Sequence, residues 1–235
     1  VQWHRGMGEG PPVTPEELNE WLLWRQWARR QEDSLDVALA PDTLRIVFVC
    51  ASGTVLSPTA TACLSAAAAA ARPTSRTIVW SRSTGGGNPD WYKPDEWAYF
   101  TGARPPFELQ TAALSRGLNL SSSIAKPLRP PDLSEADLVL VLDAQSQERL
   151  SEAAKSWGED APAFAAQKMV CVANVSASWA ALSNEVEEWS SNPLSCKDPE
   201  SLLDGLTKAT QETLLWWQLR SESNEVGTEA QDEGG

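Results

Sequence analysis

The sequence predicts an α/β fold: a doubly wound, four-stranded parallel sheet with flanking helices on both faces. Short apolar runs recur four times along the chain, at residues 46–49, 77–80, 138–142 and 169–172. Helical patterns separate successive runs, and strands that alternate with helices favour a parallel sheet with right-handed crossovers. The first run is continuously apolar, as is typical of a strand buried on both faces.

An N-terminal arm, residues 1–43, is predicted to precede the sheet. Its first 13 residues are rich in Gly and Pro and indicate an extended segment. A helix is predicted to follow, because Thr14 can act as its N-cap, Pro15 suits the first helical position and Glu17 completes a capping box.

This predicted helix, PEELNEWLLWRQWARRQED, is rich in tryptophan. Trp21, Trp24 and Trp27 and the neighbouring leucines cover more than one stripe of a helical wheel. One stripe of apolar side chains can pack on the helix's own domain, and the remaining apolar side chains need a second surface to bury them. Two interpretations therefore stay open: the helix wraps its own domain, or it docks on a protein partner, since Trp is enriched at buried interface centres.

The first half of the predicted domain, residues 44–220, begins with a strand that leads through Cys50 into a helix. This helix is predicted over 57–71, with Ser57 as its N-cap and Pro58 at its first position. The second strand precedes a loop of turn-forming residues, SRSTGGGNPDWYKPDE.

Further helices are predicted along the rest of the chain. A helical pattern over 98–116 is interrupted by two prolines and ends before Gly117, which suits a C-cap. Helices are also predicted over 145–157 and 200–219. Residues 221–235 contain five acidic residues, no basic residue and little to bury, so we expect them to form a disordered acidic tail.

Composition excludes several classes of function. A formal charge of -13 should repel nucleic acid and anionic membrane. The single histidine is His4, and the four cysteines form no C-x-x-C pair, so neither a metal site nor another cofactor is indicated. No apolar run reaches the length of a membrane span.

The chain begins at Val1, without a charged segment followed by an apolar one. This predicts a chain whose leader has been removed, or a fragment. An organelle (plastid or mitochondrion) and the cytoplasm both stay open as compartments.

One stretch, RIVFVCASGTVLSPTATA, resembles the catalytic loop of the low-molecular-weight protein tyrosine phosphatases and their arsenate reductase relatives. Their signature reads Cys-x-Gly-Asn-x-Cys-Arg-Ser-Pro. The cysteine, serine, proline and loop length match, with Cys50 at the nucleophile position. The loop consists of Ala51, Ser52, Gly53, Thr54, Val55, Leu56 and Ser57.

Three more motifs follow in the family's order. The segment GLNLSSSIAKPL has Ser123 where the family has His and Lys126 where it has Arg. The segment ADLVLVLDAQSQERL matches the family's Asp-Leu-Ile-Leu-x-Met-Asp strand and the helix after it. Asp198 and Pro199 precede the last helix, where the family carries its general acid. Four collinear motifs imply that residues 44–220 share the family's fold.

The resemblance also implies roles for the loop. Cys50 precedes a helix N-terminus, where backbone N–H groups and the helix dipole favour a thiolate. Gly53 can adopt positive φ without steric cost and thereby keep the curl of the loop. Ser57 is expected to hydrogen-bond the cysteine.

Two departures weaken the resemblance to a working enzyme. Leu56 stands where the family has its phosphate-binding arginine, and leucine supplies neither a charge nor a hydrogen bond. Val55 stands where the family has a second cysteine, so the disulfide that the family forms with its nucleophile cannot form. Asp198 is either a general acid or simply the N-cap of the last helix.

The glycine-rich loop at 85–87, with Trp91 and Tyr92, matches a wall of the family's cleft. Its aromatic rings are interpreted either as a stacking surface for a ligand or as a packed loop. Cys50 itself is either an inherited nucleophile or a buried small hydrophobe, and Cys63 and Cys171 are predicted core residues.

Three functions remain as hypotheses. The first is a pseudophosphatase in which Cys50 and Asp198 are vestigial and the tryptophan-rich arm binds a protein partner within a larger assembly. The second is a weakly active tyrosine phosphatase that uses Cys50 and Asp198 and borrows a cation from Arg82 or Lys126. The third is a redox or small-anion-binding module built on the Cys50 thiol.

Overall fold

A computed structural model describes residues 43–71, 76–93, 96–191 and 194–232, with side chains as far as Trp217. The arm, including Trp21, Trp24 and Trp27, lies outside the described residues.

Four parallel strands form one sheet, as predicted. They are β1 (Leu44–Cys50), β2 (Thr77–Ser83), β3 (Leu138–Val141) and β4 (Met169–Cys171). Their order is β2-β1-β3-β4, so β1 and β3 are central. β1 pairs with β2 on one side and with β3 on the other, which places Cys50 at the carboxyl edge of the sheet beside Ser83.

Eight α-helices surround the sheet within the described residues. They are α1 (Leu56–Ala71), α2 (Phe107–Ser115), α3 (Pro130–Glu135), α4 (Ala144–Ser156), α5 (Ala161–Lys168), α6 (Ala177–Ala180), α7 (Ser183–Ser191) and α8 (Pro199–Asp232). A 3-10 turn over Val172–Asn174 follows β4. None of these helices is long and apolar enough to cross a membrane, as far as the described residues go.

Several boundaries differ from the sequence-based expectation. α1 begins at Leu56, so Ser57 lies inside the helix rather than at its N-cap. Its N–H donates to Sγ of Cys50 and its hydroxyl to the carbonyl oxygen of Arg82. The prolines that interrupt the pattern over 98–116 lie just before α2, so only its second half is helical. Gly117 has φ +77°, as a residue just beyond a helix end requires.

The last helix extends beyond the end predicted for it at residue 219. α8 continues to Asp232, through twelve residues assigned to the acidic tail. This stretch contains no proline, and adding a residue to an existing helix costs far less than starting one. The expectation of a disordered acidic tail over 221–235 stays a prediction.

Two buried clusters cover the two faces of the sheet. One lies between the sheet, α1 and α8 and includes Phe48, Cys50, Leu56 and Leu206. The other contains Val47, Val49 and Trp91. Successive residues of β1 alternate between these clusters, because side chains of a strand point to opposite faces of the sheet.

Candidate functional site at the Cys50 loop

The loop between β1 and α1 owes its shape to a glycine. Gly53 has φ +76°, in the left-handed region that L side chains rarely adopt. A Cβ atom there would lie 3.1 Å from the Cβ of Ser83 and 3.3 Å from that of Ala125. Backbone conformation and close packing therefore both favour glycine, as the sequence predicts.

The Cys50 thiol lies inside a small hydrogen-bond network. Its Sγ is 3.2 Å from Oγ of Ser57 and accepts from the backbone N–H groups of Gly53 at 3.3 Å and Ser57 at 3.4 Å. The Ser57 hydroxyl donates to the carbonyl oxygen of Arg82 at 3.2 Å. Because that hydroxyl has one proton, the Cys50 S–H donates to Ser57, an arrangement that suits a neutral thiol.

Burial is the largest influence on the pKa of this thiol. Cys50 is 1% exposed, and its burial raises the pKa, to which the negative charge of Asp143 adds. Hydrogen bonds from Ser57 and Gly53 lower the pKa but do not outweigh burial. Burial therefore opposes the thiolate that the loop pattern favours and stabilises the neutral thiol.

The other loop side chains are also turned inward. Ser52 and Thr54 bond to each other, with their hydroxyl oxygens 2.9 Å apart. Val55 and Leu56 belong to the hydrophobic cluster that contains Cys50, and Leu56 is 1% exposed. Every residue from Ala51 to Ser57 is buried, so no side chain of the loop extends into solvent.

Asp143 is a residue of this site that the sequence reasoning did not single out. It follows β3, receives a backbone hydrogen bond from Ala51, and caps α4 by accepting from the N–H of Ser146 at 2.7 Å and its hydroxyl at 2.9 Å. Ser146 in turn lies 3.1 Å from Thr84 after β2. Burial raises the pKa of Asp143. The available signal was the Asp that ends the LVLVLD strand motif.

Arg82, one of the two cations considered as a substitute, already has a counter-ion. Its Nε lies 2.8 Å from Oδ1 of Asp132, and both side chains are less than 10% exposed. The N–H is not aimed at that oxygen, so the contact is an ion pair rather than a hydrogen bond. Asp132 also accepts from Trp80 Nε1 at 3.0 Å.

The other cation considered, Lys126, is half-buried, and its backbone carbonyl oxygen accepts from the N–H of Ser83.

Asp198 caps the last helix. Its Oδ1 accepts from the backbone N–H of Ser201 at 3.0 Å, and the residue is exposed. The carboxylate whose charge raises the Cys50 pKa is that of Asp143. The capping interpretation of Asp198 is therefore observed, and its role as a general acid stays a prediction.

The glycine-rich loop after β2 packs against the Cys50 loop. The N–H of Gly86 donates to the carbonyl oxygen of Ala51 at 2.8 Å. A Cβ at Gly85 would lie 2.4 Å from the Trp91 ring, which is fully buried. Tyr92 is half-buried and meets Trp91 edge to face. For Trp91, these contacts agree with the interpretation of the segment as a packed loop rather than a stacking surface for a ligand.

The cysteines and potential metal ligands of the described residues form no disulfide and no metal site. Cys63 and Cys171 are buried, as predicted for core residues, and no disulfide links the four cysteines. No group of His, Cys, Asp and Glu side chains in the described part of the chain could hold a metal ion.

Comparison with known proteins gives a structural likeness only. No protein-family model and no curated protein matches the chain. A protein tyrosine phosphatase from Entamoeba histolytica matches with a TM-score of 0.54 and 16% identity, over 76% of this chain and 99% of that one. A low-molecular-weight phosphotyrosine phosphatase from Vibrio cholerae matches with a TM-score of 0.54 and 15% identity, over 74% and 97%.

A third solved structure, an arginine phosphatase from Drosophila, matches with a TM-score of 0.54 and 14% identity, over 74% of this chain and 98% of that one. All three identities are too low to carry activity from one protein to another. The likeness covers nearly the whole of each phosphatase and includes the sheet on which Cys50 lies. The chain therefore has the fold of the low-molecular-weight protein tyrosine phosphatases.

Proposed function

We propose that this protein is a pseudophosphatase: a phosphatase-like fold that lacks catalysis and serves as a subunit of an assembly, binding a protein partner through Trp21, Trp24 and Trp27. The observation that carries the proposal is Leu56. It occupies the position that the resemblance assigns to the phosphate-binding arginine, and it is buried in the hydrophobic core.

Phosphoryl transfer depends on positioning and on charge. The transferred group carries negative charge on three oxygens, which enzymes neutralise with a cation and preorganised donors. An arginine that stabilises this charge can be worth about 10³–10⁵ in rate. Leucine stabilises none of it, and its aliphatic side chain excludes an anion from the space it fills.

The remaining groups of the loop support the same proposal. A neutral, buried Cys50 is a poor nucleophile, because the thiolate is the reactive form. Arg82 is neutralised by Asp132, so moving it to the loop would leave Asp132 without its counter-ion. A fold without catalysis still offers its surface and its arm to a partner.

We expect no hydrolysis of an aryl phosphate by the full chain above the level of its Cys50→Ser variant. The assay should cover pH 5 to 9, since a thiol with a raised pKa is most reactive at the alkaline end. Inorganic vanadate should not bind in an equilibrium titration. Turnover that disappears in Cys50→Ser would contradict the proposal and support the weakly active phosphatase instead.

The arm is tested by replacing Trp21, Trp24 and Trp27 with alanine in the full chain. We expect the variant to leave the assembly in a native purification and to keep the thermal unfolding midpoint of the parent protein. Replacing Trp216 and Trp217, which contact the domain core, gives a matched control with a lowered midpoint. A lowered midpoint for the arm variant would show instead that the arm packs on its own domain.

A further inference from the structure

One short helix lies at the edge of the sheet where Cys50 lies. α6 follows β4 at the carboxyl ends of the strands, the edge at which α/β sheets bind their ligands. Nε1 of Trp179, in α6, donates to the carbonyl oxygen of Leu142 at 3.0 Å. The N–H of Leu142 donates to the carbonyl oxygen of Val49, the residue before Cys50. Trp179 therefore lies at the end of β3, the strand that pairs with the one carrying the thiol.

Trp179 also belongs to the interior around the loop. It is 1% exposed and shares a buried cluster with Cys50 and Leu56. A tryptophan that is buried usually needs a partner for its indole N–H, and the Leu142 carbonyl oxygen provides one. This side chain is thus both packed and anchored at the sheet edge.

A single carboxylate fastens α6 to the last helix. Glu212 of α8 accepts from Oγ of Ser176 at 2.7 Å, from the N–H of Ser178 at 3.2 Å and from the Ser178 hydroxyl. These hydrogen bonds lower the pKa of Glu212, which is therefore ionised at pH 7. Since α6 has only four residues, its position depends on such contacts rather than on intrinsic helix stability.

The fit of this segment against α8 needs a glycine. A Cβ at Gly205 would lie 2.5 Å from Cδ1 of Leu182, which follows α6, and 4.0 Å from Cζ3 of Trp179. The two large side chains therefore pack directly against the backbone of α8.

We propose that residues 176–180 form a plug over the Cys50 thiol and that Glu212 is the latch that holds the plug closed. Opening breaks the hydrogen bonds to Glu212 and Leu142 and leaves the strands paired. The plug controls access to Cys50 whether or not the loop binds phosphate, so this inference goes beyond the proposed function. Its failure would leave the aryl phosphate assay unaffected.

The test is the rate at which N-ethylmaleimide alkylates each cysteine of the full chain, measured by peptide mass spectrometry. Glu212→Ala removes the latch. Because hydrogen bonds to a charged group are strong, we expect the alkylation rate of Cys50 to rise about tenfold relative to that of Cys63. Cys63 is buried in α1 and reports global unfolding. Glu212→Gln retains an acceptor oxygen and should change the ratio less, and Gln211→Ala, at an exposed neighbouring position, should not change it.

Two results would overturn the proposal. One is an unchanged Cys50 rate in Glu212→Ala, and the other is an equal rise at Cys50 and Cys63, which would mean that the whole domain opens. Trp179→Ala provides a second route if Glu212→Ala does not fold. It removes the plug directly, so a Cys50 rate that stays at the parent level relative to Cys63 would also refute the inference.

Discussion

Asp132→Asn is expected to lower the free energy of unfolding by about 3–5 kcal/mol, because it leaves a buried guanidinium without its counter-ion. Asn keeps one acceptor oxygen, which can serve Trp80, but it loses the hydrogen bond that Oδ2 accepts from the N–H of Arg129. The variant thus removes the charge that faces Arg82 together with one capping hydrogen bond. Urea unfolding monitored by tryptophan fluorescence measures the change as a shift in midpoint at constant slope.

The matched control for this prediction is a surface ion pair. Asp90 lies 2.7 Å from Lys93, and the two side chains are 44% and 51% exposed. Asp90→Asn should therefore change the free energy of unfolding by less than about 1 kcal/mol. Adding Arg82→Met to Asp132→Asn should recover part of the loss. Equal effects of Asp132→Asn and Asp90→Asn would show that the buried pair contributes no more than an exposed one.

Leu56→Arg is expected to destabilise the protein by about 3 kcal/mol or more and to leave it without phosphatase activity. The arginine would enter a hydrophobic cluster in which Leu56 is 1% exposed, so its charge would be buried unpaired. The burial that raises the Cys50 pKa remains in the variant and still opposes the thiolate. Urea unfolding and aryl phosphate hydrolysis measure the two effects.

Leu56→Met separates charge from shape at this position. The substitution conserves volume and should cost less than about 1.5 kcal/mol. If Leu56→Arg instead kept the stability of the parent protein and gained turnover that required Cys50, the loop would be an anion site that lacks only its cation. That result would contradict the pseudophosphatase proposal.

The sheet was predictable because its pattern is local. Four apolar runs separated by helical periodicity predict buried parallel strands, and the structure contains all four within a few residues of their expected bounds. The position of Cys50 followed directly, since a residue that ends the first strand must lie at the carboxyl edge of the sheet. Gly53 also followed, because a tight loop requires positive φ.

The short helices and Asp143 were missed for different reasons. α6 has four residues and no amphipathic period, so only its contacts with α8 explain it. In the sequence, Asp143 looks like an ordinary helix cap. It lies close to the Cys50 loop only because β1 pairs with β3.

Sequence reasoning was sufficient for the order of the strands along the chain, the place of Cys50 and the leucine at position 56, because each of these depends on neighbouring residues. The folded structure was needed to show that burial raises the pKa of the thiol, that Asp132 neutralises Arg82 and that Trp179 lies at the sheet edge. Burial and charge pairing join residues that are distant in the chain. Their balance depends on how closely the folded elements pack.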